Sequence, residues 1–195
     1  MKSKLVFLSA FIAFLFVSCS FNTEPDEPPS DLPSYGVLDF NPSVEELKET
    51  NIPIVEIIVK DGSDIDSKEN WKTASLSITG NFCGEENLDI DEFQIKGRGN
   101  SSWNLPKKPY SIKLSSKEKI LGMKKSKRWV LIANYSDKTL LRNYFVSILG
   151  NNLYKTVWNP SFKSVNLIVN GKYQGVYLLG EAIRIDKNRV DIDDI

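Results

Sequence analysis

The sequence predicts an α+β domain: a mainly antiparallel sheet with one main packed helix. Three observations carry that prediction. Short β-branched or alternating runs recur between residues 52 and 136. The period then changes, and "DKTLLRNYFVSILGNN" places Leu140, Leu141, Tyr144, Phe145, Ile148 and Leu149 at helical spacing. Last, "SVNLIVNGKYQGVYLLGE" reads as two strands joined at Asn170 and Gly171, residues that tolerate the positive φ angles of a tight hairpin turn. Strands, a helix to cover them and a closing hairpin give a layered α+β arrangement.

The elements follow in chain order. "MKSKLVFLSAFIAFLFVSCS" carries Lys2 and Lys4, then an apolar run from Leu5 to Val17, the length of a signal-peptide core and short for a membrane span. The run ends in Phe16-Val17-Ser18-Cys19, which resembles a bacterial lipobox with Phe in place of the usual Leu. Residues 1–18 are therefore expected to be a lipoprotein signal peptide. Residues 19–36 are expected to be a lipidated Cys19 followed by a flexible acidic, Pro-rich tether, since "SFNTEPDEPPSDLPSYG" has little to bury. This places the mature, mildly acidic protein outside the cytoplasm, held at the membrane in the cell envelope or at its surface by a lipid anchor. The domain spans 37–195. Ser43 with Glu46 three residues on is a capping-box pattern for a short helix. "IPIVEIIVK" (52–60), "WKTASLSITG" (71–80), "DEFQIKGRG" (91–99), "KPYSIKLS" (108–115) and "SKRWVLIANYS" (126–136) are the strands. Trp71, Ala74, Leu76 and Ile78 are candidates for one face. Ser136 or Asp137 is placed to cap the following helix and Gly150 to end it.

Composition narrows the chemistry. The 195 residues carry 25 basic and 25 acidic side chains, so no global basic excess points to a nucleic-acid partner. There is no histidine, which removes His-based triads, zinc sites of the HExxH kind and histidine general bases together. Two cysteines, Cys19 and Cys83, exclude a disulfide framework or zinc cluster. Cys83 reads as a buried inert thiol because no base stands near it in sequence.

One loop stands out: Gly97-Arg98-Gly99-Asn100-Ser101-Ser102. It is neither a Walker A loop, since no GK[ST] follows, nor a full GxGxxG, since Ser102 stands where the last glycine belongs. Glycines let backbone N–H groups converge on phosphate, Asn100, Ser101 and Ser102 add donors, and Arg98 can pair with phosphate through two bonds. Lys107, Lys108 and Lys113 follow. Taken alone, these residues fit a phosphate cradle or a hairpin loop whose bases face water. The bases between Lys117 and Arg128 read as a solvated turn. Asp137 reads as a cap and Arg142 as a partner for a carboxylate or phosphate. Trp103, Trp129 and Trp158 read as packing residues. Glu181 ends a strand where a pocket could form, and Asp186, Asp191, Asp193 and Asp194 read as a solvated acidic tail rather than a metal site.

Three segments in this order, "IKGRGNSSWNLPKKPYSIKL", "LGMKKSKRWVLIANYSDKTLLRN" and "VNGKYQGVYLLGEAIRIDKNRV", resemble the spore coat protein H (CotH) kinase family, from about residue 52 to the C-terminus. The resemblance implies an atypical protein-kinase-like N-lobe and transfer of the γ-phosphoryl group of ATP, with a divalent metal (Mg or Mn), to serines of protein substrates. It implies that Gly97–Ser102 covers the phosphates. Lys113, or less so Lys108, would neutralise the α/β-phosphates, the 137–150 helix would stand beside the sheet as αC does, and Glu181 would lie near the hinge and nucleotide. The family's catalytic and metal-binding aspartates lie beyond "RIDKNRV", so the resemblance implies that this chain carries the N-terminal part of the domain, with its C-lobe missing and an apolar patch exposed near Leu178–Ile185. The alternative is a non-catalytic nucleotide- or surface-ligand-binding, or structural, cell-envelope lipoprotein.

Overall fold

Alternating side chains decide the architecture. β1 (Ile54–Val59), β2 (Lys72–Thr79), β3 (Leu88–Gly97), β4 (Tyr110–Glu118), β5 (Ser126–Ile132), β6 (Phe162–Val169) and β7 (Lys172–Glu181) each turn one apolar row toward the others. The computed structural model describes residues 41–79, 87–153 and 158–192. The expected signal peptide, Cys19, the tether, Cys83, Asp193 and Asp194 lie outside the described residues.

The strands close on themselves in the order β1-β2-β3-β4-β5-β7-β6. Six of the pairings are antiparallel, and the closing one is parallel, Ile54 to Ile57 of β1 lying against Asn166 to Val169 of β6. The interior is filled by Val55, Ile57, Leu76, Phe93, Ile95, Ile112, Trp129, Leu131, Leu167 and Leu179 and their neighbours, leaving a packed core rather than a channel. One end is plugged by the turn after β4, where Ile120, Leu121 and Met123 are buried in the core although bases surround them in sequence. That turn is thus more than the solvated connection its charge suggests. Trp129 sits wholly inside and donates its indole N–H to the Ser126 carbonyl at 3.0 Å, so its one polar atom is satisfied.

The helix α1 (Val44–Lys48) forms as its capping box directs: Ser43 Oγ accepts from the Glu46 N–H, and the Glu46 carboxylate accepts from the Ser43 N–H at 2.7 Å. Its Leu47 packs outside the barrel on Ile54 and Ile168. The hairpin turn also forms as read, with Asn170 and Gly171 both at positive φ.

The expected α+β layering, a kinase-like N-lobe with a helix packed on its sheet, is not what forms. The fold is a closed seven-stranded mixed β-barrel, and α2 (Arg142–Leu153) is its one helix of seven or more residues among those described. Closure explains the difference. The strands bury their inner apolar rows against one another, so the core is completed without a packed helix, and α1 covers Ile54 and Ile168 on the outside. Only Ser147 of α2 is buried, and Phe145, Val146 and Leu153 are each more than half exposed. The helix starts later than its periodicity suggests, because residues 137–141 form a loop in which Leu140 takes a positive φ. It runs on through Gly150 rather than ending there. Gly150 serves close approach instead, since a Cβ on it would lie 2.8 Å from the Asn159 side chain. Near the end of β7, Leu178 and Leu179 are buried, whereas Ile183 and Ile185 beyond the strand are exposed.

Candidate functional site

Register places the loop's cations on one surface. Ile95 and Gly97 of β3 point inward, so Lys96 and, past the strand, Arg98 point out. Gln94 pairs with Lys113 and Lys96 with Ser111, and Lys113 pairs in turn with Arg128 and Ser111 with Val130. Further along, the Arg98 N–H donates to the Pro109 carbonyl at 3.1 Å, extending the β3–β4 ladder into the loop. The outer face of β3, β4 and β5 therefore carries Lys113 and Arg128 in one row, Lys96 and Ser111 in the next, and Arg98 and Ile132 in the third. The outer rows are about 13 Å apart, four residues along a strand.

Two hollows share this face. The upper one, about 310 Å3, is lined by Arg98, Gly99, Ser102, Lys107, Asn134, Asp137 and Asn143 among others. The lower one, about 330 Å3, is lined by Trp71, Lys96, Ser111, Arg128 and the segment Ala182 to Arg184. In the lower hollow the Trp71 ring has Lys96 Nζ at 4.9 Å, the Arg128 guanidinium at 5.4 Å and Lys113 Nζ at 6.0 Å from its centre. Among the described residues, none of Lys96, Arg98, Lys107, Lys113, Arg128 or Arg184 is in an ion pair with a carboxylate. Burial lowers the Arg98 pKa. Burial also lowers that of Arg128, with the nearby Arg184 adding repulsion. An anion on this face would relieve both costs.

The loop divides. Arg98, Gly99 and Ser102 line the upper hollow, while Gly97, Asn100 and Ser101 do not. The Gly97 and Arg98 N–H groups are committed to the carbonyls of Ser67 and Pro109, so they form no part of a cradle. Both glycines are nevertheless required. A Cβ on Gly97 would stand 2.3 Å from the Trp103 ring, and Gly99 has φ +92° with Ser102 Oγ where its Cβ would go.

The lysines also separate. Lys108 turns away, its Nζ donating to the Trp103 carbonyl at 2.7 Å. Lys113 belongs to the lower hollow's surroundings, against Trp71. Lys107 faces the upper hollow. Its Nζ donates to the Val176 carbonyl at 2.5 Å and lies 4.4 Å from the centre of the Tyr177 ring. Burial pushes the Lys107 pKa down to about 8.

The carboxylates are already engaged. Asp137 Oδ1 accepts from the Thr139 N–H and hydroxyl and Oδ2 accepts from the Arg142 N–H at 2.9 Å, opening α2 as a cap. These bonds, Thr139's first, hold the Asp137 pKa below its ordinary value. Arg142 is exposed, with its Nε 3.6 Å from Asp137 Oδ1. Asn143 donates to Asn134 Oδ1 at 2.7 Å, tying the helix start to the hollow's wall. Glu181 lines neither hollow, although Ala182 beside it lines the lower one. It is buried at the far end of the barrel, paired with a fully buried Arg189 at 2.7 Å, and its second oxygen accepts from the Ser161 N–H at 3.0 Å. Arg189 is further held by the Lys124 and Asn188 carbonyls and by the Trp129 and Trp158 rings. Among the described residues, no group of three or more Asp, Glu, Cys or His side chains is placed to hold a metal ion.

Sequence reasoning named Lys107 beside the loop but chose Lys113 or Lys108 as the phosphate lysine, and it missed Asn134 and the clustering of cations on Trp71. Alternation gives a usable signal for part of this, since Arg98 stands two residues past Lys96 where the β3 ladder continues into the loop. Trp71, by contrast, reaches the face only through the β2–β3 pairing.

The family model described as CotH kinase protein matches residues 95–195, just over half of the chain and including the whole upper hollow. No curated protein matches the chain.

Proposed function

Because the chain belongs to the CotH kinase family, we propose that the outer face of β3, β4 and β5 binds the polyphosphate of ATP. We propose further that the protein serves ATP-dependent phosphorylation of protein serines at the cell envelope, where Cys19 anchors it as a lipoprotein. The observation that carries the reading is the stripe of cations below and beside the Gly97–Ser102 loop, none of them in an ion pair among the described residues, with the half-buried Arg98 at its head. A guanidinium in a partly dry hollow whose one carboxylate, Asp137, is engaged elsewhere suits a bidentate phosphate contact. Ser102 and Lys107 add donors on the same wall. ATP, when bound, supplies the γ-phosphoryl group, and this chain's residues bind and orient its phosphates.

The described residues fit a polyphosphate and do not make a divalent-metal centre, since Asp137 and Glu181 are engaged in holding the fold. No transfer step is assigned to them. The engagement of Asp137, the carboxylate in the upper hollow, favours a second reading in which the barrel binds nucleotide without turnover.

Calorimetric titration of the full chain with ATP tests binding. The account expects saturable binding that weakens roughly tenfold to a hundredfold in Arg98→Ala, the loss of one charge-assisted contact. Absence of binding to the wild-type chain would reject nucleotide recognition. Incubation with labelled ATP and a serine-rich protein separates the two readings: label on serine supports transfer, and binding without label supports the second.

A further inference from the structure

We infer that Lys107 is the lysine that meets the phosphates of a bound nucleotide in the upper hollow, and that its protonation is coupled to binding. This rests on the nucleotide reading and deepens it. Of the three lysines around the loop, Lys107 alone lines the hollow that holds Arg98 and Ser102. Lys108 is turned to the Trp103 carbonyl and Lys113 lies two rows down, against Trp71.

The ammonium is held ready rather than loosely solvated. The Val176 carbonyl takes one of its three N–H donors at 2.5 Å, and the Tyr177 ring lies beneath it at 4.4 Å. Two donors remain for a ligand. The platform is itself fixed, since the Tyr177 hydroxyl donates to the Lys108 carbonyl at 2.9 Å and its ring stacks on Tyr110. Gly175 of β7 lies beside it at φ +92°, and a Cβ there would make only ordinary contact, 3.5 Å from Lys107 Nζ.

Among the described residues, the charged and titratable groups around Lys107 are Arg98, Tyr135 and Asp137 on the hollow's walls, Lys108 beside it, and Tyr177 and Tyr110 beneath. Arg98 shares the hollow as a second cation, and Asp137 is occupied by Thr139 and the Arg142 N–H. Burial already puts the amine near pH 8 without a ligand. An arriving polyanion supplies the missing counter-charge and draws a proton onto it.

The test is calorimetric titration of the full chain with ATP, and with inorganic tripolyphosphate, at pH 8 in two buffers of different ionisation enthalpy. Wild type should take up about half a proton on binding ATP, and about half a proton more than Lys107→Arg on binding tripolyphosphate, which is itself partly protonated at pH 8. Lys107→Met should bind at least about tenfold more weakly, without that uptake. Lys107→Arg, whose charge is permanent, should bind within a few-fold of wild type but also without it. Lys108→Met and Lys113→Met should keep the uptake. Lys107→Arg keeps the test decisive if Lys107→Met does not fold, because a purely structural lysine gives no reason for uptake to vanish while affinity stays. If wild type binds and Arg98→Ala does not, yet Lys107→Arg retains the uptake or Lys107→Met binds as wild type, this inference falls and the nucleotide reading stands. If wild type binds neither probe, both fall.

Discussion

At the scale of single residues, the loop's two glycines do different work. Gly97→Ala would push a methyl into the Trp103 ring and is expected to cost roughly 1–3 kcal/mol in urea unfolding. Gly99→Ala forces a side chain to φ +92° and should cost about 1 kcal/mol or more while also weakening ATP binding, because Gly99 lines the hollow. Lys107 gives a signed pH prediction. Its folded pKa lies near 8, below the ordinary value of about 10.4. Between these the unfolded chain binds more protons, so this lysine makes stability rise from about pH 8 toward pH 10.5 and adds no slope below pH 7. Urea midpoints of wild type and Lys107→Met, compared at pH 7, 8.5 and 10, check it: wild type should gain on the variant as pH rises. The glycines' importance was legible in the sequence. Their division of labour was not, because it depends on where Trp103 and Ser102 fold back.

At the scale of elements, the strands and the α1 capping box were legible because period-two alternation and a three-residue spacing are local. The helix was legible as a helix but not in its partner. Leu140, Leu141, Tyr144, Phe145, Ile148 and Leu149 read as a face seeking a core, yet the barrel closes without them. Replacing Phe145 or Val146 with Ser should therefore change stability by no more than about 0.5 kcal/mol, as for exposed positions elsewhere. A loss of several kcal/mol in thermal or urea unfolding would show that this face is packed. Asp137 belongs here too. Asp137→Ala should increase amide exchange at Arg142 and Asn143 relative to the strands. The effect of acid follows the same bond: a carboxylate held below its ordinary pKa contributes above that ordinary value, and the contribution is lost as pH falls through its folded pKa.

For the whole barrel, closure sets what the parts can do. β1 and β6 are more than a hundred residues apart, and their parallel pairing leaves no local mark in the sequence. That is why an open sheet with a covering helix was the natural reading and a closed barrel the outcome. The same closure converts Glu181 from a strand-end carboxylate into one half of a buried pair with Arg189. Glu181→Ala should cost about 3–5 kcal/mol by stranding Arg189, whereas Glu181→Leu combined with Arg189→Met should cost much less. Equal losses from the two variants would remove the pair's role at that end. Closure also turns the β3, β4 and β5 cations outward together, so the candidate site is a property of register rather than of the glycine motif alone. The most direct measurement is therefore hydrogen–deuterium exchange of the full chain with and without saturating ATP. Added protection is expected in residues 97–109 and 132–137, with the Glu181–Arg189 end unchanged. Protection at that far end alone, with the loop unaffected, would contradict the nucleotide reading.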